Sequence, residues 1–162
     1  MPSFDVVSQV DSQEIDNAIN QAKKEIDTRY DFKGSLAELD IEDKKISIKA
    51  ADKMKLQAMA EILRQKMSKR GISPKALKFE EPEKASGDSL RQIVIVQEGI
   101  STEQAKKLVK LIKDKNLKKI QTQIQGEQLR VTGPKRDDLQ EVISILKEEA
   151  QDIALQFVNF RD

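Results

Sequence analysis

Alternating apolar and polar positions in the second half of the chain predict a β-hairpin. Residues 120–125 alternate between Ile or Thr and Gln, which is typical of a strand with one buried face. Gly126 favours a turn, and residues 128–132 alternate again as a returning strand. Because Pro134 suits the first turn of a helix, we expect a helix directly after this hairpin.

The same pattern occurs in the first half of the chain. Residues 40–57 align over residues 123–140 without a gap, and Ile48 in the first copy matches Val131 in the second. Solenoid arrays contain more and shorter units than this. The repeat therefore predicts two copies of one small fold.

Apolar residues at helical spacing predict two helices in each half. The four stripes consist of Ile15, Ile19, Ala22 and Ile26; Leu56, Met59, Ala60, Leu63 and Met67; Ala105, Leu108, Val109 and Ile112; and Leu139, Val142, Ile143 and Leu146. Asp11 or Ser12 is expected to cap the first helix and Asp52 the second. Ser101 and Gln104 have the spacing of a capping box at the third.

Strands around these helices complete the predicted architecture. They are expected at residues 4–10, 37–42, 45–50, 76–79, 91–97, 120–125, 128–132 and 155–160. We therefore predict an α+β fold of two ferredoxin-like (βαββαβ) plaits with antiparallel sheets. The first would cover residues 1–84 and the second residues 85–162, divided within the polar stretch 80–88, which is broken by Pro and Gly. Residues 93–96, Ile-Val-Ile-Val, are apolar on both strand faces, which predicts a strand covered on both sides.

Composition argues against catalysis and against a metal site. The 162 residues include no Cys and no His, which removes thiol chemistry, the usual zinc ligands and the commonest general base. No Walker loop, nucleophile elbow or dinucleotide fingerprint is present. We predict a protein that is not an enzyme and has no cofactor. Without a signal peptide or a long apolar run, we expect it in the cytoplasm and away from membranes.

Charge is balanced overall but uneven along the chain. Lys and Arg total 29 against 28 acidic residues, yet residues 101–136 are strongly basic. Basic and amide side chains can hydrogen-bond phosphates and base edges. The candidate binding residues are Lys118, Lys119, Gln123, Arg130, Lys135 and Arg136 in the second half, and Arg29 and Lys33 beside the end of the first helix. An ordinary solvated face, a structural corner at Gly133-Pro134 and a stabilised helix end remain as alternatives.

The aromatic residues limit the kind of recognition that is expected. RNA-recognition sheets stack bases on aromatic residues of their central strands, and the predicted central strands carry none. Base stacking on the sheet should be weak or absent. Phe4, Phe157 and Phe160 are expected to pack in the core, whereas Tyr30 and Phe32 could either pack or bind.

Four segments carry a resemblance that covers the whole chain. They are MPSFDVVSQVD at 1–11, TRYDFKG at 28–34, KLIKDKNLKKIQTQIQGEQLRVTGPKRDDLQ at 110–140 and FVNFRD at 157–162. With these segments the chain resembles the YajQ family of bacterial nucleotide-binding proteins. The resemblance implies two ferredoxin-like domains that exchange their first strands, 4–10 and 91–97.

The resemblance also implies a function. It implies binding of a nucleotide (GTP, ATP or cyclic di-GMP), of tRNA, or of both, without catalysis. The alternative function is a cyclic di-GMP-responsive adaptor that modulates a transcription regulator by protein–protein contact. An acylphosphatase-type enzyme would share the plait, but no anion-binding loop with Arg and Asn follows either first strand.

Overall fold

The computed structural model describes residues 1–117 and 119–162, which form an α+β fold with four helices and antiparallel sheets. In chain order the elements are β1 (Ser3–Val7), α1 (Ser12–Thr28), a 3₁₀ turn (Tyr30–Phe32), β2 (Ala37–Glu42), β3 (Lys45–Ala50), α2 (Lys53–Lys69), a 3₁₀ turn (Pro74–Ala76), β4 (Leu77–Phe79), β5 (Glu83–Lys84), β6 (Leu90–Val96), α3 (Thr102–Asp114), β7 (Gln121–Gln125), β8 (Gln128–Thr132), α4 (Arg136–Glu149) and β9 (Gln156–Arg161). No helix in this part of the chain combines the length and apolar character needed to cross a membrane.

Contacts divide the chain into two compact units. Unit 1 contains residues 1–9 and 98–162, and unit 2 contains residues 10–97. The first strand of the chain, β1, therefore belongs to the same unit as the last five elements, α3, β7, β8, α4 and β9. The strand β6, which lies close to α3 in sequence, belongs to unit 2.

Unit 1 contains a four-stranded antiparallel sheet in the order β7-β8-β1-β9. Because Phe4 lies opposite Val131 and Val6 opposite Leu129, apolar side chains of β1 and β8 share one face of this sheet. They join the buried residues of α3 and α4 in one hydrophobic core. The opposite face of β1 and β8 carries their polar residues, as the alternation along the sequence predicts.

Unit 2 contains a sheet in the order β2-β3-β6-β4, with the short β5 also paired to β6. The sequence predicts that β6 is covered on both faces, but only one face is fully covered. Val94 and Val96 on that face are buried, whereas Ile93 and Ile95 on the other face are half-buried. The polar stretch 80–88 contains β5, which turns back onto β6.

Helix starts follow the capping residues that the sequence indicates. The side chain of Asp11 accepts hydrogen bonds from the first turn of α1, and Asp52 caps α2 in the same way. Ser101 and Gln104 form the predicted capping box of α3. Helix α4 is different, because it begins at Arg136, after Pro134, and its capping residue Lys135 makes no side-chain cap.

Strand β1 is shorter than the predicted 4–10. It ends at Val7, because the carbonyl of Ser8 accepts a hydrogen bond from the Gly99 N–H and the Gln9 backbone bonds the Gln156 side chain. These loop contacts replace the regular ladder before α1 begins.

Replacing Phe4 by Ala should destabilise unit 1 strongly. Phe4 is fully buried at the centre of its core, and such a truncation costs about 3–5 kcal/mol. The free energy of unfolding, followed by circular dichroism in urea, measures the loss.

Phe160→Ala is the matched control. Phe160 is 59% exposed and stacks on Phe4 with 5.7 Å between ring centroids, so its loss should cost no more than about 1.5 kcal/mol. Equal costs for the two variants would contradict the position of β1 inside the core.

Candidate functional site

The polar face of the unit 1 sheet aligns three hydrogen-bonding side chains in one row. The strand register places Gln123 of β7 opposite Arg130 of β8, and Arg130 opposite Asp5 of β1. An amide, a guanidinium and a carboxylate thus lie on adjacent strands. Of the candidate residues, Gln123 and Arg130 are direct neighbours across the ladder.

Asp5 is a buried carboxylate with two side-chain partners. It is 2% exposed, and it accepts hydrogen bonds from Arg130 Nε at 3.0 Å and from Asn159 Nδ2 at 2.9 Å. Burial by itself raises the pKa of Asp5, but the two hydrogen bonds and the positive charges of Arg130 and Arg161 outweigh it and lower the pKa below the usual range of an aspartate. Asp5 is therefore a fixed negative charge at neutral pH.

An irregularity in β9 brings Asn159 to Asp5. The pairing of β1 with β9 shifts between Ser3 and Asp5, and Asn159 has a positive φ of 56°. Asn tolerates this left-handed conformation better than most residues. A bulge of this kind re-aims the side chain of the bulged strand, and here it turns the amide towards the carboxylate.

The pairing with Asp5 limits what Arg130 can do. Its Nε donates to Asp5, which raises the pKa of the guanidinium and fixes its plane. A guanidinium has five N–H donors, and the side chain of Arg130 keeps 28% of its surface exposed. Arg130 can thus donate further hydrogen bonds from a fixed position.

Gln123 is exposed at the edge of the same sheet. Its side-chain oxygen accepts a hydrogen bond from Gln125 Nε2 at 3.1 Å. An amide that is already held by a neighbour presents its remaining donor and acceptor groups in a defined direction.

Basic residues gather at one end of the β7–β8 hairpin. Gln121 at the start of β7 pairs with Thr132 at the end of β8. Lys119, just before β7, and Lys135 and Arg136, just after β8, therefore lie at the same end of the hairpin. All three are exposed, and we call them the hairpin-end cluster. Lys118, the fourth residue predicted here, lies outside the described residues.

Acidic residues oppose part of this cluster. Arg136 forms an ion pair with Asp162, and both side chains are largely exposed. Asp137 and Asp138 occupy the first turn of α4, where they complement the helix dipole. Lys119 and Lys135 therefore provide the less compensated positive charge of the hairpin-end cluster.

The Gly133-Pro134 corner has a packing explanation. Gly133 is buried, and a Cβ at this position would lie 2.7 Å from Ile120 Cδ1 and 3.4 Å from Leu139 Cδ2. Its N–H donates to the carbonyl of Pro2 at 3.1 Å. With its N–H occupied in this way, Gly133 acts as a structural corner between β8 and α4.

The other two candidate residues belong to unit 2. Arg29 donates to both carboxylate oxygens of Asp31, at 3.0 and 2.7 Å, and lies 3.9 Å from Glu25. The bond to Asp31 raises the pKa of Arg29 and lowers that of Asp31. Lys33 is exposed at the end of the 3₁₀ turn. Five of the described candidate residues thus belong to unit 1, namely Lys119, Gln123, Arg130, Lys135 and Arg136, and two belong to unit 2, Arg29 and Lys33.

The two aromatic residues of the 3₁₀ turn have opposite environments. Phe32 is 4% exposed, with the guanidinium of Arg29 lying 5.3 Å from its ring centroid, whereas Tyr30 is 89% exposed. The sequence left packing and binding open for both. The structure assigns packing to Phe32 and leaves the Tyr30 ring accessible to a ligand.

Sequence reasoning missed three residues of the Asp5 network. Asp5 and Asn159 were not candidates, and neither was Arg161, whose charge contributes to the lowered pKa of Asp5. The available signal was weak: an acidic residue inside the otherwise apolar β1 segment, Phe-Asp-Val-Val. A buried carboxylate in such a strand needs a cationic partner.

Comparisons with known proteins agree along the whole chain. The family described as "Nucleotide-binding protein YajQ-like" matches residues 2–161. A protein of Geobacter metallireducens named "Nucleotide-binding protein" is 58% identical over 162 residues, which is all of both chains. One of the same name from Citrifermentans bemidjiense is 56% identical over 99% of both chains, and a nucleotide-binding protein of Magnetococcus marinus is 56% identical over the full length of both.

Replacing Asp5 by Asn should destabilise the protein at neutral pH and much less in acid. The new amide places a donor against the Asn159 amide and removes the charge that Arg130 pairs with, at a cost of about 1.5–3 kcal/mol. The pKa of Asp5 is lower in the folded chain than in the unfolded chain, so the unfolded chain binds more protons at pH values between the two. The stabilisation by Asp5 is therefore fully present above the unfolded pKa and is lost as the pH falls through the folded pKa.

Urea unfolding at neutral pH and at a series of falling acidic pH values measures this difference. Asp16→Asn, at an exposed position of α1, is the control and should leave stability nearly unchanged. An Asp5→Asn defect of constant size at all pH values would show that the charge of Asp5 is not what stabilises the sheet.

Proposed function

The chain belongs to the family of YajQ-like nucleotide-binding proteins, and on this premise we propose that it binds nucleotides or RNA without transforming them. The observation that best supports the proposal is the hairpin-end cluster, where exposed basic side chains adjoin a row of amide and guanidinium groups. Such groups bind phosphates and base edges. The relatives named nucleotide-binding proteins support the same ligand class for this chain.

Phosphate contacts would come from the exposed cations. Lys119 and Lys135 would act as mobile point charges, while Arg130, already fixed by Asp5, would offer its remaining N–H groups in a defined direction. Gln123 would hydrogen-bond a base edge or a ribose hydroxyl. In unit 2, Arg29 and Lys33 would form a second phosphate contact. Lys118 remains a candidate on sequence grounds alone.

The chemistry of the buried carboxylate supports binding rather than catalysis. A general acid or base works best with a pKa near the working pH, and the pKa of Asp5 is lowered instead of raised. Both of its oxygens accept hydrogen bonds from neighbouring side chains. We therefore assign Asp5 a positioning role.

The strand order supports a further architectural proposal. We propose that each unit is a ferredoxin-like plait and that the two halves of the chain exchange their first strands. In support, the β7-β8-β1-β9 order of unit 1 matches the β2-β3-β6-β4 order of unit 2 when β1 and β6 count as the first strand of each. The pairing is the same in both sheets: the first strand lies between the third and fourth strands.

Several ligands fit this chemistry, and an adaptor function is the alternative. ATP, GTP, cyclic di-GMP and tRNA all present phosphates and bases. A cyclic di-GMP-responsive adaptor would bind the dinucleotide with these groups and then contact a transcription regulator. Pull-down from a cytoplasmic extract with and without cyclic di-GMP separates the two functions, because only the adaptor recovers a regulator in a dinucleotide-dependent manner.

Replacing Lys119, Lys135 and Arg136 together by Gln should weaken RNA binding and its dependence on salt. Each phosphate contact to a single strand contributes about 0.7 to the slope of log affinity against log salt concentration. If all three residues contact phosphates, the slope should fall by about 2. Titrating labelled tRNA and single-stranded RNA at several salt concentrations measures this change.

Lys106, Lys110 and Lys113 of α3, all exposed in the same unit, provide the matched control. Replacing them by Gln removes the same charge from another surface and should change the slope much less. Equal effects of the two triple variants would show that binding depends only on net charge, and would contradict a site at the hairpin-end cluster.

A further inference from the structure

Aromatic residues fall into two groups according to what covers their rings. Phe157 and Phe160 each pack on Phe4, with ring centroids 6.0 and 5.7 Å from that of Phe4. Arg29 covers Phe32, and Arg64 lies 4.1 Å from the centroid of Phe79. Within residues 1–117 and 119–162, Tyr30 is the one aromatic residue whose ring has neither a ring nor a cation partner.

The backbone beneath Tyr30 is well held. Its carbonyl accepts a hydrogen bond from the Lys33 N–H at 3.1 Å, and the N–H of Phe32 bonds the carbonyl of Arg29 at 3.3 Å. In a 3₁₀ turn, with three residues per turn, residues two apart point in different directions. Burial of Phe32 therefore anchors the turn and directs the Tyr30 ring away from the core.

Basic residues lie around the 3₁₀ turn that carries this ring. Arg29 and Lys33 flank the turn, and Lys55 donates to the hydroxyl of Ser35 at 2.7 Å while its charge also lowers the pKa of Asp31. Asp31 is occupied by Arg29, so Lys33 and Lys55 remain available to an anion. An accessible aromatic face beside two lysines suits a ligand that has both a flat ring and a phosphate.

We propose that Tyr30 is a stacking platform for a nucleobase, with Lys33 and Lys55 contacting the phosphate attached to it. The proposal rests on the proposed function and adds a recognition element to it, in unit 2 and away from the sheet strands. Stacking on aromatic side chains tolerates all bases because every base has a π-face. The site therefore selects nucleobases as a class.

The amino-acid composition supplies a specific probe for this site. Tyr30 is the only tyrosine, and the chain contains no tryptophan, so tyrosine fluorescence reports on this ring alone. Base stacking should quench it. The ligands to titrate are ATP, GTP, cyclic di-GMP, a single-stranded oligoadenylate, an abasic oligomer of the same length and inorganic tripolyphosphate, with binding measured separately by calorimetry.

Variants at position 30 test the ring itself. Tyr30→Ala should weaken binding of the base-bearing ligands by about 5- to 150-fold, the range expected for loss of one base–aromatic stack. Tyr30→Phe should bind nearly as well as the native protein, whereas Tyr30→Leu should not. Met54→Ala, which truncates another side chain that is 80% exposed in unit 2, is the control and should leave affinity unchanged.

The outcomes separate this proposal from the proposed function. Quenching by base-bearing ligands only, together with the Tyr30→Ala loss, supports the stack, and the ligand that saturates at the lowest concentration identifies the source of the base. Calorimetric binding without quenching and without a Tyr30→Ala effect overturns the stack and leaves the proposed function standing. Equal quenching by the abasic oligomer also overturns it. Absence of binding by every ligand overturns both.

Discussion

A single buried carboxylate links three strands of unit 1 that are far apart in the sequence. Asp5 on β1 accepts from Arg130 on β8 and from Asn159 on β9, across sequence separations of 125 and 154 residues. Taking a carboxylate out of water is unfavourable unless it is paired, so the three side chains are needed together. The same bonds fix the guanidinium at the centre of the polar sheet face. Structure and candidate function thus depend on one contact.

Local patterns predicted most of the elements, because their causes are local. Alternation predicted the β7–β8 hairpin, and Ser101 with Gln104 predicted the start of α3, where the capping box forms. The Asp5 network was not predicted, since residues on β1, β8 and β9 meet only through tertiary pairing and a bulge in β9. The sequence also did not distinguish Tyr30 from Phe32, since either could pack in the core or bind a ligand. Only the geometry of the 3₁₀ turn buries one ring and exposes the other.

The two units present different binding chemistries. In unit 1 the candidate residues lie on and beside a sheet and offer amides, a fixed guanidinium and flexible lysines, which suit phosphates and hydrogen-bonding edges. In unit 2 they lie on a turn beside an exposed ring, which suits the flat surface of a base. The nearly balanced numbers of basic and acidic residues in the whole chain give no sign of this difference between the units. Nucleotides carry both kinds of group, so either set of residues has a matching part of such a ligand.

The position of β1 in its sheet affects how the polypeptide can fold while it is being made. Chains fold domain by domain during synthesis, and all the residues of unit 2 leave the ribosome before α3 does. Strand β1 emerges earlier still, whereas its partners β8 and β9 are translated only after all of unit 2. Strand β1 must therefore remain unpaired while the residues of unit 2 are being made. During that interval its unpaired edges are open to other chains, and its place between β8 and β9 in the folded sheet removes that exposure.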